Sequence, residues 1–170
     1  DVNAREQDEF QRTALHLAVK DGYTECVKVL LENGADVNAR RKDKLQSTAL
    51  HLAAFNGDAV CVTVLVENGA DINVRQKGES QVTVLHIAAY EGHAECVKVL
   101  LENGADVNVR LKDEVQSTAL HLAASRGHDR CVKVLLENGA NVKAKNGGGN
   151  IPLNLAKTDK IKQLLINAMK

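Results

Sequence analysis

Apolar side chains come in two kinds of short cluster along the chain, each with helical spacing. After Thr48 stand Ala49, Leu50, Leu52 and Ala53, a run of small and medium apolar residues that stops before Gly57. The Thr48 hydroxyl can accept from an orphan N–H of a first turn, so a short helix is predicted from this point. Downstream, Cys61, Val62, Leu65 and Val66 fall on one stripe while Thr63, Glu67 and Asn68 face away, which predicts a second, amphipathic helix. Gly69 sits where a left-handed residue closes a helix, and Ala70-Asp71-Ile72-Asn73 is expected to begin an extended stretch. The unit reads as helix, turn, helix, hairpin.

That unit recurs every 35 residues without slippage. TALHLA begins at Thr13, Thr48 and Thr118, and TVLHIA begins at Thr83; Cys26, Cys61, Cys96 and Cys131 share one repeat position, as do Gly22, Gly57, Gly92 and Gly127. The repeats run over about 1–35, 36–70, 71–105 and 106–140, and a shorter unit, 141–170, closes the chain. One such unit cannot bury its apolar stripe alone, whereas stacked copies can, so an all-α solenoid of stacked helix-turn-helix units forming one domain is expected.

The order TxLHxAA, Gly, VKVLLENGADVN resembles the ankyrin repeat over essentially the whole chain. Three features depart from that pattern. The period exceeds the usual one of about 33 residues, and the excess lies between Asn38 and Thr48 and in the equivalent loops, so each β-hairpin-like tip should be longer than usual. The tips lack the glycine expected there, except at Gly78, and the motif's proline survives only as Pro152, with Ala14, Ala49, Val84 and Ala119 in its place. Proline at the first helical position is pre-organised but dispensable. Ile151 to Ala156 and Ile161 to Leu165 align with the two helices after loss of about one turn, and with Lys157, Asp159, Lys160 and Lys162 they read as a C-terminal cap. Gly147 to Gly149 reads as a hairpin tip. Asp1-Val2-Asn3 reads as the tail of a preceding repeat, and a chain opening on Asp1 reads as a fragment; equal repeat lengths also fit an engineered binder.

Composition narrows the chemistry. The 22 basic and 22 acidic residues cancel, and no run approaches the length and apolarity of a membrane span or a signal peptide. The only aromatics are Phe10, Tyr23, Phe55 and Tyr90, so the core must be built from Leu, Val, Ala and Ile. Equivalent atoms of stacked repeats lie about 8–10 Å apart, too far for a disulfide, and no CxxC pair exists. The cysteines are expected to be reduced and buried, which points to a reducing compartment, cytoplasm or nucleus. The resemblance makes His16, His51, His86 and His121 structural residues that tie each repeat to the neighbouring loop. A ladder does not converge on one point, so neither catalysis, a metal nor a cofactor is expected.

Positions that vary while their neighbours stay fixed are exposed or used. The pairs Lys20-Asp21, Phe55-Asn56, Tyr90-Glu91 and Ser125-Arg126 are one such position, and Tyr23, Asp58, His93 and His128 are another. The loop tips add Arg41, Lys42 and Lys44, Gln76 and Lys77, and Leu111 and Lys112. Every aromatic sits at a variable position, although Phe10 is also placed to pack within its own loop against Leu45. Aromatic and arginine anchors carry most interface energy. In the family, first-helix ends and hairpin tips line a concave groove that binds proteins, so these residues imply a non-enzymatic module for a partner protein or peptide, monomeric by itself. Nucleic-acid binding is the alternative, through Arg41, Lys42, Lys44 and a ladder of Arg5, Arg75 and Arg110; acidic residues in the tips and zero net charge argue against it. The resemblance further implies Asn38, Asn73 and Asn108 as sites for an asparaginyl hydroxylase.

Overall fold

The computed structural model describes all 170 residues, with ten helices joined by turns and loops. The first helices of the successive units are α1 (Ala14–Lys20), α3 (Ala49–Asn56), α5 (Val84–Glu91), α7 (Ala119–Arg126) and α9 (Pro152–Leu155). The second helices are α2 (Thr24–Glu32), α4 (Ala59–Glu67), α6 (Ala94–Glu102), α8 (Asp129–Glu137) and α10 (Asp159–Ala168). Each helix packs on its own partner and on its counterpart in the next unit, giving two parallel layers. None is long and apolar enough to cross a membrane.

Alanine makes the close approach of the first helices possible. Ala49, Ala53, Ala54, Ala88, Ala89, Ala123 and Ala124 are fully buried between neighbours. Leu15, Leu50, Leu85 and Leu120, with Leu65, Leu100, Leu135, Ile161 and Leu165 from the second helices, fill the space between layers. Each such side chain contributes about 2 kcal/mol by leaving water. No aromatic belongs to this core.

Caps fix the helix ends as the sequence predicts. In each full unit the threonine caps the first helix, and the histidine at the third position returns the bond: Thr83 N–H donates to His86 Nδ1 at 3.3 Å, and the Thr83 hydroxyl lies 2.8 Å from the same atom. Because Nδ1 accepts, the ring proton sits on Nε2, which faces the next unit. His86 Nε2 donates to Ser117 O at 3.3 Å and His121 Nε2 to Asn150 O at 3.0 Å, the inter-repeat tie expected of the ladder. His16 and His51 share the capping geometry, but their buried Nε2 atoms have no partner at bonding distance.

The loops differ from expectation in three ways. First, Asp71 to Asn73 form a tight turn instead of an extended stretch, because the Asp71 side chain accepts from Asn73 N–H at 3.0 Å. Second, Gln11, Gln46, Gln81 and Gln116 take the left-handed backbone (φ 42 to 48) in place of the missing tip glycine. An arginine holds each in place: Arg75 donates to Gln81 O at 2.8 Å and reaches Arg110 O in the next loop at 3.2 Å, and Arg5, Arg40 and Arg110 repeat the pattern. The arginine ladder is therefore a set of internal staples, with its donors turned to backbone carbonyls. Third, the longer tips touch one another. Lys42 N–H donates to Phe10 O, Lys77 to Leu45 O, Lys112 to Ser80 O and Gly147 to Val115 O, at 2.8 to 2.9 Å. At Gly147 a Cβ would overlap Glu114 O, so the last tip closes on its neighbour only with glycine there.

The C-terminal unit is shortened as anticipated. Its first helix is a single turn begun by Pro152, and Lys160 of α10 is ion-paired with Asp129 of α8. Cys61, Cys96 and Cys131 are buried as expected, but Cys26 is exposed.

Candidate functional site

First helices and loop tips of the middle units enclose a cleft of about 350 Å³. Phe55 of α3 and Tyr90 and Glu91 of α5 line it, together with Gln76, Ser80 and Val82 of the third loop, Leu111 of the fourth, and His86, Ile87 and Leu122. Five residues drawn from the variable positions thus converge: Phe55, Gln76, Tyr90, Glu91 and Leu111. Phe55 is 59% and Tyr90 40% exposed, so their rings are presented instead of packed. The guanidinium of Arg126 lies 4.3 Å from the Tyr90 ring centroid.

The polar atoms of the cleft are partly committed. Gln76 donates to Ser47 Oγ at 2.7 Å, leaving its amide oxygen unbonded, and Ser80 Oγ donates to Asp113 at 2.7 Å. His86 is buried, and desolvation pulls its pKa down to about 4, so it is a neutral ring. The cleft therefore offers apolar and aromatic surface with oxygen acceptors around it.

Several variable residues turn out to serve the stack. His93 Nε2 donates to Phe55 O at 3.0 Å and His128 Nε2 to Tyr90 O at 2.9 Å, each ring lying against the glycine of the preceding turn, Gly57 or Gly92. They hold the backbone of the two aromatics. Asn56 Nδ2 donates to Val19 O and Lys20 O, both at 3.1 Å. Asp58 caps α4 by accepting from Cys61 N–H at 2.9 Å. Arg41 is ion-paired with Asp43 and stacks 5.0 Å over the ring of Phe10, which Arg12 also covers at 5.4 Å. Phe10 thus packs between arginines of its own and the next loop.

The rest lie elsewhere on the surface. Lys42, Lys44, Lys77 and Lys112 expose their side chains at the tips, and Lys20, Ser125 and Arg126 are exposed at first-helix ends. Asp21 and Tyr23 stand on a different face, with Ala14, Leu17, Cys26, Val29 and Leu30 of α1 and α2. Asn38, Asn73 and Asn108 are exposed yet fully engaged: Asn38 donates to Gly69 O at 3.1 Å and accepts from Asp71 N–H at 2.8 Å, and the other two repeat this one unit on.

Sequence reasoning missed Val82, His86, Ile87 and Leu122 as lining residues, whereas Ser80 shares the variable loop-tip position of Phe10, Leu45 and Val115. Ile87 and Leu122 carried a signal: they share the repeat position of Leu17 and Leu52, an apolar place on the outer side of the capping histidine that the buried stripe does not use.

The family model for ankyrin repeats (3 copies) matches residues 1–76, 41–110 and 75–146. No curated protein matches the chain.

Proposed function

Since the chain belongs to the ankyrin-repeat family, whose members are generally protein–protein interaction modules, we propose that it binds a partner protein or peptide in the groove between its first helices and loop tips. The observation that carries this reading is the convergence of Phe55 and Tyr90 with Gln76, Glu91 and Leu111 on one cleft in a protein whose core is complete without aromatics. Histidine staples from the following units hold the backbone that carries these rings, and anchors on an ordered backbone lose little entropy on binding. The four repeats and the C-terminal unit act as one ordered surface.

Nucleic-acid binding draws less support. Arg5, Arg40, Arg75 and Arg110 spend their donors on backbone carbonyls, and Arg41 is paired with Asp43, which leaves scattered tip lysines for phosphate. The test is capture from cell lysate at two salt concentrations by the parent and by Phe55→Ala/Tyr90→Ala. A protein retained by the parent and lost by the variant at both salts supports the groove. Capture indifferent to the substitutions, or of nucleic acid released by salt, overturns it.

A further inference from the structure

Three loops carry an aspartate at the same turn, and two of these carboxylates are neutralised. Asp8 is ion-paired with Arg12 at 3.0 Å, and Asp43 with Arg41. Around Asp113 the corresponding positions are held by Ser117 and Leu111, so it has no cation within ion-pair distance. Its remaining partners are Val115 and Gln116 N–H, each at 3.0 Å, and Ser80 Oγ at 2.7 Å. Ser80 lines the cleft, which puts the unneutralised carboxylate one hydrogen bond behind the wall. Glu91, on the cleft itself, has neither an ion pair nor a hydrogen bond. No lysine or arginine lines the cleft. The nearby cation Arg126 is spent on the Tyr90 ring without a carboxylate partner.

The same change that leaves Asp113 bare makes the cleft apolar. Leu111 stands where loop two has Arg41, and with Val82, Ile87 and Leu122 it provides a surface for an alkyl stem. Phe55 offers an open ring face, and Arg126 over Tyr90 shows how a guanidinium sits on such a ring here. Apolar walls, an open aromatic face and two carboxylates without a cation are complementary to one kind of side chain. The geometry points to an arginine of a partner peptide as the occupant, its stem along Leu111, Ile87 and Leu122 and its guanidinium at Glu91, with the charge of Asp113 behind Ser80 adding to the negative potential of the cleft. Arginine suits this better than lysine, because its planar, weakly hydrated end both stacks on rings and forks to carboxylates. The inference rests on the groove being the partner site.

The test is a nuclear magnetic resonance titration of the full chain with capped alanine tripeptides bearing arginine, norleucine or glutamate at the centre. The arginine peptide is expected to shift the Ile87, Tyr90 and Leu111 resonances saturably, norleucine more weakly and glutamate not at all. Glu91→Gln with Asp113→Asn, which keeps the oxygen that closes the loop turn, should weaken the arginine peptide by roughly fivefold to tenfold and leave norleucine unchanged. Circular dichroism checks that the variant is folded. Norleucine binding as well as arginine, arginine indifferent to the variant, or no saturable shift overturns the assignment. In the first two cases the groove survives as a partner site of another specificity; it falls only if capture is also indifferent to Phe55→Ala/Tyr90→Ala.

Discussion

Tyr90 is gripped by the unit that follows it: Arg126 lies 4.3 Å over its ring while the neighbouring turn's His128 donates to its carbonyl at 2.9 Å. The ring is thereby fixed in position without being buried, and His93 holds the Phe55 backbone through the same carbonyl bond. Substituting these aromatics should therefore cost recognition and little stability. Phe55→Ala and Tyr90→Ala are each expected to lower the unfolding free energy by less than about 1 kcal/mol, whereas Leu85→Ala, in the core, should lower it by about 2–5 kcal/mol. Urea denaturation of the three variants decides it. A loss at Tyr90 as large as that at Leu85 would mean that the ring is a packing residue.

Thiol reactivity should single out one cysteine. Cys61, Cys96 and Cys131 are buried, and burial pushes their thiols up to about 12, about 11 and about 12, so they form almost no thiolate at neutral pH. Cys26 of α2 is exposed. Iodoacetamide under native conditions should add one group per chain, mapped to Cys26 by peptide mass, with the other three modified only in denaturant. Native modification at Cys96 would show that the stack opens between units.

The stack was legible in the sequence because its determinants repeat in register: the threonine–histidine cap, the leucine and alanine stripes and the glycine stops all recur at the same spacing. The staples were not legible, because their partners lie in the neighbouring unit and are backbone carbonyls, which leave no mark on the sequence. His93 and His128 differ from an unbonded surface histidine only in what the preceding turn places beneath them. Arg5, Arg40, Arg75 and Arg110 did carry a clue, since a residue constant in every unit serves packing. The cleft was half legible: variability found Phe55, Tyr90 and the tips, but could not tell Asn56 and Asp58, which serve the stack, from Glu91, which does not.

The histidine staples make a prediction about two glycines with similar backbones. Gly92 (φ +86) and Gly104 (φ +93) are both left-handed, so alanine strains either by about 1–2 kcal/mol. At Gly104 an added Cβ meets nothing within 4 Å, whereas at Gly92 it would lie 2.6 Å from His128 Nδ1. Gly92→Ala should therefore destabilise more than Gly104→Ala, by roughly a further 1 kcal/mol or more from displacing the ring. A double-mutant cycle of Gly92→Ala with His128→Ala should recover that excess. Strict additivity in the cycle would remove the staple from the account.

The capping ladder also sets how stability responds to acid. Desolvation pulls His16, His51 and His86 down to about 4, and lowers His121. In the unfolded chain a histidine takes its proton near pH 6.5, so between pH 6.5 and 4 the unfolded state binds protons that the native state refuses. Stability from these groups is thus complete above about pH 6.5, falls as the pH drops toward 4, and changes no further below. A ring held at about 4 forfeits roughly 3 kcal/mol over that window, so two or three together rival the whole stability of an ordinary domain. Asp129, held below the usual carboxylate range by the hydrogen bond and charge of Lys160, loses its contribution only at lower pH, near and below 4. Replacing the four histidines by glutamine keeps a side chain that can accept from the capping threonine N–H without titrating. Denaturant midpoints measured from pH 7 to 4 should fall steeply for the parent and stay nearly level for the glutamine variant. Parallel curves would place the acid sensitivity outside the histidine ladder.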